Sequence, residues 1–394
     1  MRVAEVLLWL SFIIIFYSYI GYGLLIYCIT RIKRLFFPKL ETDVQDWEPK
    51  VALIIPAYNE AEFVRRKIEN TLQLDYPKQK LSVTFITDGS TDGTVDIIRE
   101  YQGITLMHQD ERKGKCAAMN RAIQYTTEPV VIFSDANNLL NRDCIRAIAK
   151  HYSNPRVGGV SGEKKVVSTG NMQAVSAGEG IYWKYESLLK KLDSEFYSVV
   201  GAAGELFSLR TDLYEALPEN TIIEDFVLSL QVCLKGYRVT YEPGAFAIET
   251  ASISIKDEQK RKVRISAGAF QAMYMLKPLF NFLKFPRLSF SYISHRVLRW
   301  TLCPLCLVIL FLSNLALVLW SQGGYYRIFF ALQAVFYLLG ITGWIFANRN
   351  IRIRALYVPY YLLFMNISLF FGFKRFVDKS QSVLWEKSQR EKFA

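Results

Sequence analysis

The sequence predicts an α/β domain with a parallel sheet, placed between apolar helices near both ends of the chain. Two observations lead to this prediction. Four apolar runs have the length of membrane helices, and the polar middle alternates short apolar strands with helical patterns. The 394 residues carry a formal net charge of +12 and are 51% hydrophobic, which suits two or three structural units, one of them in a membrane.

The N-terminal apolar run, residues 6–28, contains no charged residue and is followed by three basic residues within 31–34. No small-residue cleavage site follows it. We therefore expect a retained membrane helix rather than a signal peptide, and we assign residues 1–30 to it.

Residues 51–55, 83–87 and 130–133 are short apolar runs typical of buried strands, and helical patterns lie between them. Strands that alternate with helices predict a parallel sheet covered on both faces. Ligands of such sheets bind at the carboxyl ends of the strands. Polar clusters follow each of the three predicted strands: PAYNE, DGSTDGT and SDANN.

The segment DGSTDGT, residues 88–94, places two acids and two glycines between a strand and a helix. It is either an ordinary turn in which Asp92 or Ser90 caps the helix, or a site where Asp88 accepts a hydrogen bond from a nucleotide base. The chain has no GxxxxGK[ST] motif, so it is not a P-loop protein.

Asp135 and Asn137 alternate just beyond the third strand and can point their oxygens to one side. A magnesium-class ion takes one or two protein carboxylates and completes its shell with diphosphate oxygens and water. The alternative is a common turn rich in Asn and Asp.

The segment IIEDF, residues 222–226, begins an amphipathic helix with two acids. Glu224 and Asp225 either favour the positive end of the helix dipole or supply a general base, Asp225, whose pKa Glu224 would raise.

The basic segment 256–300 contains QKRKVRISAG ahead of an amphipathic stretch. An interfacial membrane helix is one interpretation. Beside a diphosphate site, Arg261 or Arg264 would instead stabilise the leaving group.

The C-terminal third contains three more apolar runs, each close to the ~20 residues that a bilayer crossing needs. They are residues 302–320, 328–346 and 355–373. Buried core helices are the alternative, most of all for the last run, which contains Pro359 and Asn366. We assign residues 301–373 to membrane helices.

Basic residues flank the apolar runs, which places residues 30–300 in the cytoplasm by the positive-inside rule. The sequence thus predicts a multi-pass protein of the cell membrane, and the charge needs no nucleic acid to explain it. The runs lack the ionisable residues of a transport path. Four crossings would leave the basic tail, residues 374–394, outside, so either the fourth run is re-entrant or a further segment crosses.

The six cysteines are scattered, and only Cys303 and Cys306 have a metal-like spacing. They lie in an apolar run without a second pair, so packing explains them better than zinc. The absence of a disulfide framework suits a cytosolic domain.

The motifs IIPAYNE, DGSTDGT, KGKCAAMN, FSDANN, GAAGELF, IIEDF and RKVRI occur in this order between the N-terminal run and the C-terminal apolar block. In this arrangement the chain resembles the processive-type membrane glycosyltransferases of family 2. That family includes cellulose, chitin, hyaluronan and poly-N-acetylglucosamine synthases.

The resemblance implies a GT-A fold, which is Rossmann-like, over residues 31–255. It also implies inverting transfer of a hexose from a nucleoside-diphosphate sugar, here a UDP-sugar, to a hydroxyl of a growing polysaccharide. The implied cofactor is Mg²⁺ or Mn²⁺.

By the same resemblance each site residue has an implied role. Asp225 would be the base, with Glu224, Arg261 and Arg264 beside it. The other implied positions are Tyr58, Glu60, Asp88 and Lys115 for the nucleotide, Asp135 and Asn137 for the metal, and Gly204, Glu205 and Trp385 for the acceptor. Trp385 lies in LWEKSQR, which resembles a tail that returns to the cytoplasmic active site.

Two departures from the family pattern bear on function. The family's Gln-x-x-Arg-Trp is replaced by residues 261–265, RKVRI, and the metal motif is Asp-x-Asn rather than Asp-x-Asp. Two alternatives therefore stay open: a non-processive transferase with a lipid-linked acceptor, and a non-catalytic partner of a synthase that binds nucleotide sugars.

Overall fold

The computed structural model describes residues 1–36, 47–167, 173–250, 255–320, 323–349, 351 and 353–382. Their core is one eight-stranded sheet with helices on both faces, and long apolar helices stand at both ends of the chain. This is the α/β architecture that the sequence predicts.

The sheet is mixed rather than wholly parallel. Its strands are β1 (Val51–Ala57), β2 (Leu81–Asp88), β3 (Thr105–Gln109), β4 (Val130–Ser134), β5 (Leu139–Leu140), β6 (Val157–Val167), β7 (Leu206–Arg210) and β8 (Arg238–Thr250), in the order β3-β2-β1-β4-β7-β6-β8-β5. The first four strands in the order are parallel, as predicted. Strand β7 is antiparallel to both neighbours, because the chain leaves β6 and enters β7 at the same edge of the sheet.

The helices cover the sheet and extend beyond it. They are α1 (Arg2–Phe16), α2 (Tyr22–Phe36), α3 (Ala61–Leu72), α4 (Thr94–Arg99), α5 (Lys115–Ile123), α6 (Cys144–Ala149), α7 (Gln173–Phe196), α8 (Glu224–Leu234), α9 (Ile255–Met275), α10 (Pro286–Tyr292), α11 (Leu298–Trp300), α12 (Leu302–Trp320), α13 (Gly324–Asn348) and α14 (Arg354–Val377). A π-helical turn, Tyr17–Gly21, joins α1 to α2.

Four helical stretches of the described chain are long and apolar enough to cross a membrane. They are Arg2–Phe36, Leu302–Trp320, Gly324–Asn348 and Ala355–Val377. Helix α1 packs against α12, and α12 against α13, where the Asn314 amide donates to the Gln333 side chain at 3.1 Å.

Strand β1 is buried on both faces because its alternate residues enter different clusters. Ala52 and Ile54 pack on the side of α5 and α8, whereas Leu53 and Ile55 pack on the side of α3 and α6. This explains why the strand is a continuous apolar run in the sequence.

The strand register brings the predicted polar clusters to one edge. Ala57 at the end of β1 pairs with Thr87 near the end of β2, and Ile54 pairs with Phe133 near the end of β4. The segments that follow these strands therefore leave the sheet side by side.

Helix α14 lies along α9. A Cβ atom built on Gly372 would come within 2.3 Å of the Ser266 Cβ atom, so the two helices touch closely at this point. The ring of Phe270 packs on Phe373 and Phe376, with centroid distances of 5.0 and 6.2 Å. The fourth apolar helix thus packs on the domain over much of its length.

The opposite side of α9 belongs to the core of the domain. Ala272 and, in the turn that follows, Leu276 are fully buried in the same cluster as β4 and α8. Gly268 lies against Ile222 and Ile223, where an added Cβ would meet side-chain atoms at 3.0–3.1 Å. Helix α9 therefore lies between the loop that enters α8 and helix α14.

A buried ionic network connects α7 to the segment before α12. Glu186 accepts hydrogen bonds from Arg296 at 3.0 Å and from Arg299 at 2.6 Å. His295 lies between Glu186 and Asp193, at 3.3 and 2.7 Å from their oxygens. The Arg299 side chain also donates to a backbone oxygen of the π-helical turn, which attaches the domain to the N-terminal helix.

Candidate active site

Asp88 is buried at the end of β2, and one of its oxygens is available to a ligand. Its Oδ2 accepts from the backbone amides of Lys113 and Gly114 at 2.9 and 2.6 Å. Its Oδ1 is buried and has no hydrogen-bond partner among the described residues. A buried acceptor without a donor is costly, so this position favours a ligand with an N–H group.

Tyr58 and Glu60 line a pocket together with Asp88. The remaining lining residues are Pro56, Ala57, Arg112, Gly114, Lys115, Ala118, Asp135, Ala136 and Asn137. The Arg112 guanidinium lies 3.6 Å from the Tyr58 ring centroid. The backbone amide of Glu60 donates to the Thr94 hydroxyl at 2.8 Å, which ties the first polar loop to the second.

Asp135 and Asn137 face the same pocket at the end of β4. The Asn137 Oδ1 atom is buried without a hydrogen-bond partner in the described chain, as expected of an oxygen that serves as a metal ligand. The described residues contain no group of three or more His, Cys, Asp or Glu side chains that could hold a metal. A hard divalent ion here would therefore take Asp135, Asn137 and oxygens of its ligand, and the residues fit that role.

A buried lysine supports the turn that carries these two residues. The Lys67 ammonium donates to the Ser134 hydroxyl at 2.9 Å and to Asn138 Oδ1 at 2.8 Å. Burial lowers the pKa of Lys67 to about 7. These bonds fix the backbone from which Asp135 and Asn137 project.

Lys115 connects Asp135, a candidate metal ligand, to the carboxylates at the start of α8. Its ammonium lies 2.6 Å from Asp135 Oδ1 and 2.9 Å from Glu224 Oε1. Burial works against the charged form, but Asp135, Glu224 and Asp225 outweigh it and hold the pKa of Lys115 well above its usual value. The ammonium is thus a permanent cation that pairs with Asp135 and Glu224 and is further stabilised by the charge of Asp225.

Asp225 lies in the first turn of α8, next to this cluster. Burial, and then the charges of Glu224 and Glu205, raise the pKa of Asp225 to about 7, although Lys115 acts in the opposite direction. Gly204 lies directly against it, since a Cβ at that position would be 2.9 Å from Asp225 Oδ2. A carboxylate with a pKa near neutrality has the acid–base property that a general base needs.

Glu205 is an ionised carboxylate with a fixed partner. It pairs with Lys164, a buried lysine that also pairs with Glu249. Burial opposes ionisation, but Lys164 holds the pKa of Glu205 far below its usual value. Glu205 therefore contributes negative charge near Asp225 rather than a second proton acceptor.

The two predicted arginines differ in position. Arg261 donates to Glu258 on its own helix through Nε and Nη2, both at 3.0 Å. Arg264 lies in the field of Glu224, Asp135 and Asp225, while burial lowers its pKa. The structure thus brings Arg264 to the carboxylate cluster, and Trp385 lies outside the described residues.

A cavity of about 800 Å³ opens behind Asp225 and extends to α14. We call it the acceptor cavity, because it is lined by Gly204 and Glu205, which the resemblance to the family implies for the acceptor. Its wall includes eight residues that the sequence analysis singled out: Lys115, Asp135, Gly204, Glu205, Glu224, Asp225, Arg261 and Arg264. Met365 and Leu369 of α14 and residues 380–382 line its far side, so the chain after α14 returns to the site.

Sequence reasoning missed several residues of the site. Lys164, Lys190 and Trp300 line the acceptor cavity, and Lys67 supports the metal-type turn. Lysines in strands and helices carry no pattern that separates a buried one from an exposed one. The Trp300 position, at the start of a membrane run, also suits an interfacial anchor, so its sequence context does not point to a cavity.

Comparisons with known proteins relate this chain to glycosyltransferases. Residues 52–217 match the model of the glycosyl transferase family 2. Poly-beta-1,6-N-acetyl-D-glucosamine synthase of Staphylococcus aureus strain COL is 24% identical over 251 residues, which are 60% of this chain and 58% of the relative. Probable glycosyltransferase YdaM of Bacillus subtilis is 24% identical over 261 residues, 61% of this chain and 59% of the relative. The matches thus span less than two thirds of the length of these relatives.

Among solved structures, the mannosyltransferase PcManGT from Pyrobaculum calidifontis, in complex with GDP-mannose and Mn²⁺, has a similar fold. The TM-score is 0.72 at 20% sequence identity, with 95% of this chain and 99% of that chain covered. The predicted GT-A fold with apolar helices at both ends is confirmed. The resemblance drawn from the motifs is also confirmed: the chain contains a glycosyl transferase family 2 domain, which the family model matches over residues 52–217.

Proposed function

We propose that the protein is a membrane-bound, inverting glycosyltransferase that moves a sugar from a nucleoside-diphosphate sugar to a hydroxyl of a growing polysaccharide. The observation that carries this proposal is the position of Asp225. Its carboxyl group, with a pKa raised to about 7, lines the acceptor cavity, and Lys115 and Asp135 line both that cavity and the pocket of Asp88. A base between a donor pocket and an acceptor cavity is the arrangement that a single displacement needs.

In the proposed reaction, Asp225 takes the proton of an acceptor hydroxyl while that oxygen bonds to the anomeric carbon. The bond from that carbon to the nucleoside diphosphate breaks, and the diphosphate leaves with the electron pair. Lys115 and Arg264 supply positive charge close to the carboxylate cluster, where a departing diphosphate is stabilised. A Mg²⁺ or Mn²⁺ ion held by Asp135 and Asn137 would neutralise charge on the diphosphate.

We propose a UDP-sugar as the donor, with Asp88, Tyr58, Glu60 and Lys115 around the nucleotide. The relative from S. aureus is named for N-acetyl-D-glucosamine, whereas the P. calidifontis structure contains GDP-mannose and Mn²⁺. Because Asp88 accepts from an N–H group that both uracil and guanine carry, a donor panel must include UDP-sugars and GDP-sugars.

The test is an assay of purified protein in vesicles with this donor panel and Mg²⁺ or Mn²⁺, which measures nucleoside-diphosphate release and glycosylated product. Asp225→Asn should leave nucleotide binding intact and lower transfer by about 10²–10⁴-fold, the usual contribution of a general base. Asp96→Asn is the matched control, because Asp96 is 80% exposed on α4. Full transfer by Asp225→Asn would reject the assignment of the base.

The second candidate is a non-processive transferase with a lipid-linked acceptor. The far side of the acceptor cavity favours it, since Met365 and Leu369 belong to an apolar helix of membrane length. Product analysis separates the two: a polymerase yields long water-soluble chains, and a lipid-directed enzyme labels an organic-extractable product. A protein that binds nucleotide but releases none from any donor would instead be the non-catalytic partner.

A further inference from the structure

Lys190 of α7 is a buried lysine in the wall of the acceptor cavity. It is 6% exposed, and its ammonium makes no hydrogen bond or ion pair with any described residue. Burial lowers the pKa of Lys190 from its usual value. The Nζ atom is open to the cavity, so the three N–H donors of the ammonium group are available to a ligand there.

The carboxylates around Lys190 already have other donors. Glu163 accepts from the Ser187 hydroxyl at 2.5 Å and from the Tyr241 hydroxyl. Glu205 pairs with Lys164. These acids favour the charged form of Lys190 from a distance, but they do not take up its donors.

An aromatic side chain lies in the same cavity. Trp300 lines it, and its ring centroid is 5.2 Å from that of Phe226, the residue that follows Asp225. The cavity volume of about 800 Å³ lies within the range of ligand pockets, which combine aromatic surface with a few polar groups.

We propose that Lys190 binds the acceptor, with its ammonium donating hydrogen bonds to hydroxyl groups of a glycan that occupies the acceptor cavity. A pyranose ring has hydroxyl acceptors for Lys190 and an apolar C–H face for Trp300. Glu163, Glu186 and Glu205 favour the charged form of Lys190, so its ammonium can donate to the hydroxyl groups of a neutral sugar. The inference rests on the proposed function for the role of the glycan as acceptor.

The test measures binding of short β-linked oligosaccharides of N-acetylglucosamine, glucose and mannose to the full chain in nanodiscs, without nucleotide. Lys190→Met removes the donors and keeps the length of the side chain. Lys191→Met is the matched control, because Lys191 is the next residue of the same helix and is exposed. Nucleoside-diphosphate binding is measured separately on each variant.

We expect one oligosaccharide to bind the unmodified protein and Lys191→Met equally, and Lys190→Met about tenfold more weakly or worse, as for a lost charged hydrogen bond. The thermal midpoint of Lys190→Met should not fall, since the change removes the cost of a buried charge without a partner. If Lys190 only balanced the charges of Glu163 and Glu205, Lys190→Met would bind the oligosaccharide normally and its thermal midpoint would fall.

Equal binding by Lys190→Met, or no binding of any oligosaccharide to the unmodified protein, overturns the inference. Loss of nucleotide binding or of donor turnover affects the proposed function instead. Oligosaccharide binding that depends on Lys190 in a protein without transferase activity would leave the glycan site intact and reject the enzyme.

Discussion

The carboxyl group of Asp225 is held where burial and two acidic neighbours oppose its ionisation. Glu224 is the nearer in sequence, and it is itself tied to Lys115 at 2.9 Å. The two acids therefore differ in their properties. Glu224 forms an ion pair with Lys115, whereas Asp225 has a pKa close to neutral pH.

This environment predicts the pH dependence of transfer. As the proposed base, Asp225 would act only when ionised, so kcat/KM for the acceptor should fall as the pH drops through about 7, the raised pKa of the group. Glu224→Gln removes a like charge and should move the acidic limb to lower pH. A pH–rate profile of both proteins with a saturating donor checks this, and an unmoved limb contradicts it.

The raised pKa of Asp225 also makes the stability of the protein depend on pH. The folded pKa of Asp225 is raised above the usual value of 3.8, so the folded state holds more protons than the unfolded state between about 4 and 7. The contribution of this group to stability therefore decreases as the pH rises through that window. Asp225→Asn should flatten this part of the stability curve, measured by denaturant titration at several pH values.

Gly204 predicts a second effect at the residue scale. A Cβ at this position would lie 2.9 Å from Asp225 Oδ2 and would displace the carboxylate or the loop. We expect Gly204→Ala to lower transfer at least tenfold while nucleotide binding is unchanged, because a small misplacement of a base is costly. Gly103→Ala is not a suitable control, because Gly103 has a positive φ of 80°. Gly93→Ala is suitable, since an added Cβ there meets only Ala61 at 4.0 Å.

At the scale of elements, α9 connects two parts of the molecule that the sequence shows as separate. One side packs on the loop of Ile222 and Ile223 that enters α8, and the other carries α14. The contact at Gly372 leaves no space for a side chain. The loop that leads to Asp225 is therefore connected to the apolar helix α14 through α9.

This packing predicts that Gly372→Leu destabilises the protein by about 1–3 kcal/mol, the usual cost of overpacking. Gly324→Leu is the matched control: Gly324 begins α13, and a Cβ there would meet nothing within 4 Å. The thermal midpoints of the two variants in the same detergent are compared. Equal midpoints would mean that the close α9–α14 contact does not contribute to stability.

The elements differ in how far the sequence predicts them. Strands β1, β2 and β4 and the polar loops after them follow from local patterns, because a buried strand is a short apolar run that ends at a turn. The antiparallel insertion of β7 and the position of α14 follow from tertiary packing. Lys190 and Trp300 are far apart in sequence and meet only through the cavity, so no local pattern could predict that pair.

At the scale of the whole molecule, the position of α14 bears on the number of membrane crossings. Four crossings would leave the basic tail outside, against the positive-inside rule. A helix that packs along α9 from Ser266 to Phe270, and is followed by residues that line the acceptor cavity, ends on the side of the domain. We predict that only the N-terminal helix, α12 and α13 cross the membrane, which would put the end of α14 on the same side as the sheet, in agreement with the positive-inside rule.

Epitope tags test this topology in sealed vesicles. We expect a tag after Ala394 and a tag in the loop at Lys113 to be accessible to antibody in the same vesicles. A tag between α12 and α13 should be protected there and become accessible only after detergent. A tail tag that behaves like the tag between α12 and α13 would show that α14 crosses the membrane.

The contact between α9 and α14 also determines how the protein can be shortened. A chain cut before residue 301 would keep the whole sheet and the carboxylates of Asp135, Glu224 and Asp225. Phe270 would nevertheless lose the rings of Phe373 and Phe376 that cover it. Part of the acceptor cavity would then open to solvent, because Met365 and Leu369 would be missing from its wall. We therefore expect a chain without its C-terminal helices to expose apolar surface of α9 and of the cavity, because α14 covers both.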